Sequence, residues 1–125
     1  MRLLLDTNAL LWAMTNAPRI APVRDVLVDS GNEVYASAVS WWEIAIKTAI
    51  GKLDANISML RAAAEASGFR ELPLMGVHAE ILTTLPRHHN DPFDHMIVAQ
   101  AIAEPMKLVT GDSILKKYLN TIILI

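Results

Sequence analysis

The sequence predicts an α/β protein, a parallel sheet sandwiched between helices, and three observations lead there. Short, fully apolar runs alternate along the chain with segments of helical period. Such alternation requires parallel strands with helices over both faces of the sheet. The 125 residues, 53% of them hydrophobic, suffice for one core and leave little room for a second, so 1–125 reads as a single domain.

Leu3–Leu5 is the first strand candidate, and Ala9–Met14 reads as the helix after it. Pro22–Ser30 has Pro in its first turn, Val23, Val26 and Leu27 on one face, and Gly31 as a stop, which predicts a helix. Val34–Ser37 is the second strand. Ser40–Ile50 is a helix with Trp41, Ile44, Ala45 and Thr48 on one face, closed by Gly51. Ser58–Ser67 is Ala-rich and helical up to Gly68, and Phe69–Leu74 is the third strand candidate. Val77–Leu85 is a helix stopped by Pro86. Asp91–Glu104 is a helix with Ile97, Val98, Ala101 and Ile102 as its stripe, ended before Pro105. Lys107–Thr110 and Thr121–Ile125 read as the last strands, with a short helix, Ser113–Leu119, between them.

Composition excludes several classes. The longest stretch without a charged residue, Thr7–Pro18, falls short of the roughly 18 apolar residues a membrane span needs. Asp6 interrupts the apolar start, which argues against a secretory signal. The absence of cysteine excludes disulfides and thiolate metal sites and points to a reducing cytoplasm. A net charge of −2 leans against a protein held to nucleic acid by charge alone, so any such contact must be local.

Four acids stand out by position. Asp6 follows the first strand, Glu43 and Asp94 lie in the first turns of their helices, and Asp112 follows the Lys107–Thr110 strand. Ligands of parallel sheets bind beyond the carboxyl ends of the strands, where these residues converge. Gathered carboxylates repel one another unless a cation neutralises them. Hard divalent ions such as Mg2+ or Mn2+ prefer oxygen ligands, and one or two of them would activate water and stabilise a phosphodiester's charge. Each acid also has a structural alternative. Asp6 and Asp112 are ordinary helix caps, Ser40-Trp41-Trp42-Glu43 fits a capping box, and Asp94 suits the dipole of a helix capped by Asp91 ahead of Pro92. The convergence of all four is what favours the metal.

The motifs resemble a known family. Leu3-Leu4-Leu5-Asp6-Thr7-Asn8-Ala9-Leu10 resembles the opening motif of PIN domains. Ser37-Ala38-Val39-Ser40-Trp41-Trp42-Glu43-Ile44-Ala45-Ile46-Lys47 with Gly51-Lys52-Leu53 resembles the second motif of VapC-type toxins. Asp91-Pro92-Phe93-Asp94, running into Ile97-Val98-Ala99-Gln100-Ala101, is similar to their DPFD-containing branch, and Leu108-Val109-Thr110-Gly111-Asp112 to their final T-x-D motif. The resemblance covers essentially the whole chain in order. It implies an α/β/α sandwich with a parallel sheet of about five strands and a Mg2+- or Mn2+-dependent endoribonuclease acting as toxin of a toxin–antitoxin pair. Asp6, Glu43, Asp94 and Asp112 would be catalytic and metal-binding, with Thr110 and Asn8 as supporting polar neighbours. It further implies an RNA substrate, a cognate antitoxin and a homodimer.

This sequence departs from the pattern at His95, where a basic residue is usual. Arg87, His88 and His89 form the best local basic cluster, and with His95 they are the RNA-binding candidates. Lys47, Lys52, Lys116 and Lys117 come next, with solvated surface charge as the preferred reading. The four histidines do not form a zinc pattern. Trp41 and Trp42 differ by about 100° in azimuth on a helix, so one of them is expected at the surface, where a partner would cover it. Two other functions fit the layer order. A receiver domain needs an acidic pair after the first strand and an Asp after the third, and the sequence has neither. A non-catalytic binding module of the PIN fold would be expected to lack one of the acids.

Overall fold

The computed structural model describes residues 1–88 and 90–125; His89, one of the RNA-binding candidates, lies outside the described residues. The chain runs β1 (Arg2–Leu5), α1 (Thr7–Met14), a 3-10 turn (Pro18–Val23) leading into α2 (Arg24–Val28), β2 (Glu33–Ser37), α3 (Ala38–Ala49), α4 (Ile57–Ala66), β3 (Arg70–Leu72), α5 (Gly76–Leu82), α6 (Pro92–Ala103), β4 (Lys107–Thr110), a second 3-10 turn (Ser113–Lys117) and β5 (Ile122–Leu124). The sheet is parallel throughout, in the order β3-β2-β1-β4-β5.

Period-two alternation splits the core between the two faces. Leu3 and Leu5 pack with Val34, Ala36 and Val109 against Ala9 and Leu10 of α1, Trp41 and Ile44 of α3 and Ala64 of α4. Leu4 and Leu108 pack on the other side with Val39 of α3, Ile97, Val98 and Ala101 of α6, and Leu115. Leu3, Leu4, Leu5 and Leu108 are fully buried, which is why these runs show no polar alternation. Among the described residues no helix is long and apolar enough to cross a membrane.

The strand order decides where the chemistry can lie. The chain steps outward from β1 to β2 and β3, then returns to lay β4 on the other flank of β1. The switch point is therefore the crevice beyond the carboxyl ends of β1 and β4. Leu5 pairs with Val109, and the Asp6 N–H donates to the Val109 carbonyl at 3.0 Å, so Asp6 and Thr110 leave the sheet side by side.

Several boundaries differ from the sequence expectation, each for a local reason. Helix α3 begins at Ala38, not Ser40, because Ser37 at the end of β2 accepts from the Val39 N–H at 3.0 Å and is the cap. The Ser40-to-Glu43 capping box is thereby excluded, and Glu43 sits in the second turn rather than the first. The Pro22–Ser30 helix shortens to Arg24–Val28 behind a 3-10 turn. Asp29 ends it by accepting from the Gly31 N–H at 2.8 Å, a turn that competes with the helix. The Phe69–Leu74 strand shortens to Arg70–Leu72, pairing only with Tyr35–Ser37 before Pro73, which has no N–H to give. The Val77–Leu85 helix ends at Leu82, where the Thr83 and Thr84 hydroxyls bond back to Glu80 and Ile81 carbonyls at 2.7 Å each. Gly51 closes α3 at φ +78°, a conformation that suits glycine.

Candidate active site

Asp6 caps α1 at the switch point of the sheet. One oxygen, Oδ1, accepts from the Ala9 N–H at 2.8 Å and caps α1, while Oδ2 accepts from the Thr110 hydroxyl at 2.5 Å. The side chain is held on both oxygens and nearly all of its surface is covered. Burial pushes its carboxyl above the usual aspartate range. The bonds from Thr110 and the Ala9 N–H work against that rise, and the charges of Glu43 and Asp112 add to it. Thr110 also accepts from the Asp112 N–H at 3.0 Å, so one buried hydroxyl links Asp6 to the segment after β4. Asp112 caps the 3-10 turn through the Ile114 N–H at 3.0 Å. Between them lies Gly111, where a Cβ would stand 2.8 Å from the Trp12 ring. A side chain there would force the Trp12 ring or this segment to shift.

Glu43 is buried as well, at 3% exposure. The Thr7 hydroxyl donates to its Oε1 at 2.6 Å, and Ser40 Oγ stands 3.0 Å from the same hydroxyl. Having committed its one proton to the carboxylate, Thr7 can accept from Ser40. The Lys47 ammonium lies 2.5 Å from Oε2, one helical turn on. That bond raises the Lys47 pKa; partial burial opposes it, and the charges of Glu43, Asp91 and Asp94 reinforce it. Lys47 is therefore an ion-paired group, not the solvated surface charge expected from sequence.

Asp91 and Asp94 sit at the start of α6. Asp91 is the cap, its Oδ1 accepting from the Phe93 N–H at 2.9 Å and the Asp94 N–H at 3.3 Å, with Pro92 in the first helical position. Asp94 lies in the first turn, half-buried. The helix is tied to the sheet by Gln100, which is fully buried between the Ser37 hydroxyl at 2.5 Å and the Pro73 carbonyl at 3.3 Å.

The mutual charge effects thus run from Asp112 and Glu43 to Asp6, and through Lys47 to Asp91 and Asp94. Among the described residues no three acids or histidines stand close enough to enclose an ion. The oxygens of Asp6 and Glu43 are engaged by protein donors. The residues nonetheless fit a hard divalent cation. The donors are all carboxylate oxygens, one carboxyl is strained by burial and like charge, and an ammonium already sits where positive charge is favoured.

Of the supporting residues, Thr110 is buried at the site and Asn8 is exposed on α1. The residue beside Asn8, Thr7, is the one that reaches Glu43. The RNA-binding candidates divide. Arg87 and His88 are exposed, while His95 is half-buried with Nε2 2.8 Å from the Tyr118 hydroxyl, which accepts from the His88 N–H at 2.8 Å. His78 is fully buried 2.6 Å from Glu104. Trp41 is buried and Trp42 is 57% exposed, its ring edge-on to Phe93 at 5.0 Å, so the expected division of the pair holds. Sequence reasoning missed Thr7, Ser37, Gln100 and Tyr118. Only Lys47, four residues after Glu43, carried a usable signal.

The PIN domain family matches residues 3–119. The chain belongs to that family. This PIN domain is 26% identical over 117 residues to Ribonuclease VapC22 of Mycobacterium tuberculosis (strain ATCC 25618 / H37Rv), a match covering 92% of this chain and 90% of that protein. Its fold is that of VapBC2 from Rickettsia felis, solved bound to a DNA fragment from their promoter (TM-score 0.68, 20% identity, 100% of this chain and 98% of that one). It is also that of a toxin–antitoxin complex from Klebsiella pneumoniae (TM-score 0.65, 17% identity, 97% and 95%). The β3-β2-β1-β4-β5 order separates this PIN domain from receiver domains, in which the first and third strands are neighbours.

Proposed function

We propose that this PIN domain is a metal-dependent endoribonuclease and the toxin of a toxin–antitoxin pair. The observation that carries the reading is the buried, doubly held Asp6, its carboxyl raised by burial and by the charges of Glu43 and Asp112 at the switch point of the sheet. The similarity to a ribonuclease along nearly the whole chain supports the same chemistry.

Asp6, Glu43, Asp94 and Asp112 would hold Mg2+ or Mn2+. Such an ion, when bound, would supply positive charge against the phosphodiester and make a water more acidic. The protein's own contribution is preorganisation. Thr110 and the Ala9 N–H fix both oxygens of Asp6. Thr7 fixes one oxygen of Glu43 from the first turn of α1. Asp91 caps α6, and Asp94 in its first turn is the proposed ligand. Arg87, His88 and His95, with His89, are the groups proposed to meet the RNA backbone. Purified protein is expected to cleave RNA with Mg2+ or Mn2+, to stop in EDTA and to resume when metal is restored in excess. Cleavage undiminished by chelator would exclude the metal-dependent reading.

The partner reading has its own support. The fold is shared with proteins solved in VapBC2 and toxin–antitoxin complexes, and Trp42 presents an exposed aromatic surface next to Glu43. An antitoxin segment laid across Trp42 and Phe93 would cover apolar surface and block the acids together. A homodimer belongs to the same proposal. Co-expression with the product of the neighbouring reading frame is expected to give a co-purifying complex with suppressed cleavage. A product that neither binds nor inhibits would remove the antitoxin from the model of function.

A further inference from the structure

The Lys47–Glu43 pair has a consequence for metal loading. Glu43 is almost wholly buried, and both of its oxygens are engaged, Oε1 by the Thr7 hydroxyl at 2.6 Å and Oε2 by the Lys47 ammonium at 2.5 Å. The two contacts differ in kind. Thr7 is neutral, buried and fixed in the first turn of α1. Lys47 is a charge on a flexible stem whose side chain is 41% exposed, so it has a path to solvent.

We propose that Lys47 is the resident counter-cation of the site, competing with a divalent ion for Glu43 and withdrawing when that carboxylate turns to metal. The proposal rests on the reading that the acids hold metal, and is independent of which RNA is cut. A carboxylate oxygen has a second lone pair, so ammonium and metal could in principle share it. They would then face each other across one atom in a partly buried setting, where like charges repel strongly. Only one of the two cations is favoured there. Glu43 stays in place through the exchange because Thr7 keeps hold of Oε1. The charges of Asp91 and Asp94 also favour the charged form of Lys47. The pair offsets the cost of burying the Glu43 charge when no metal is bound.

Mn2+ binding measured by calorimetry, without RNA, tests this on Lys47→Met and Lys47→Arg. Both residues suit a partly exposed helix position, and Met keeps the length of the apolar stem. Lys47→Met is expected to bind Mn2+ about tenfold more tightly than the wild type, since a competing charge is gone. Its metal-free melting temperature should fall and its metal-induced rise should exceed that of the wild type. Lys47→Arg, which keeps the charge, should stay near wild-type affinity. Unchanged or weaker Mn2+ binding by Lys47→Met, with the wild type binding normally, would overturn the competition and make Lys47 a group that positions Glu43. No Mn2+ binding by either protein would overturn the metal reading itself, and the competition with it.

Discussion

Asp6→Asn is expected to slow RNA cleavage by roughly a hundredfold or more while raising the melting temperature of the metal-free protein at neutral pH. Two opposed requirements meet at this side chain. As a cap it needs an oxygen for the Ala9 N–H, and Asn supplies one nearly as well as Asp. As a proposed ligand it needs a negative charge, which Asn lacks. Loss of a ligand that contributes several kcal/mol to transition-state charge stabilisation corresponds to a roughly hundred- to thousandfold fall in rate. The stability effect follows from the raised carboxyl, and its sign is fixed by linkage. The folded state holds the Asp6 proton more tightly than the unfolded state, whose value is near 3.8. Between that value and the higher folded one, stability falls as pH rises, and above both the full cost of the buried charge is present. Asn has no charge to bury, but its amide nitrogen cannot accept the Thr110 hydroxyl bond, so the variant should melt higher at neutral pH by about 4 °C for each kcal/mol that relief of the buried charge exceeds the loss of that bond. The difference should shrink on acidification and vanish below about pH 3.8. Melting curves across pH without metal, beside cleavage assays with it, check both halves. An Asp6→Asn protein that melts lower at neutral pH, or cleaves like the wild type, would contradict the account.

The second large effect separates two acids three residues apart. Asp91 spends Oδ1 on the Phe93 and Asp94 N–H groups and precedes a proline in the first helical position. Asp91→Asn should therefore keep both fold and activity. Asp91→Ala should lose about 1 kcal/mol of stability, the usual worth of a cap. Asp94 follows in the first turn, where its charge acts on Lys47. Asp94→Asn should keep its fold and lose cleavage by roughly a hundredfold or more, as expected for a lost metal ligand. Melting curves and RNA cleavage on the three variants decide the assignment. An inactive but stable Asp91→Asn beside an active Asp94→Asn would reverse it.

Much of this could be read from the sequence because local chemistry and global placement agree. The run Leu3–Leu5 is apolar on both faces, so it announces a buried parallel strand, and Asp6 directly after it is at the carboxyl edge of the sheet. Lys107–Thr110 and Asp112 repeat the arrangement, and Asp91-Pro92 declares its own cap. Signals of this kind need only neighbouring residues. Where two local signals compete, tertiary structure chooses. Ser37 and Ser40 both suit a helix start, and pairing of β2 with β1 and β3 brings the strand to its end at Ser37, so the first serine becomes the cap and Glu43 moves to the second turn. Contacts between distant segments left no local trace at all. Thr7 meets Glu43 across 36 residues, Ser37 meets Gln100 across 63, and Thr110 meets Asp6 across 104. The sequence by itself determined which side chains carry charge and which end of each strand or helix they occupy. The order of the strands decided which of those ends adjoin, and so which buried oxygens Thr7, Thr110 and Lys47 hold, because hydrogen bonds and charge act over a few ångströms in space, whatever the separation along the chain.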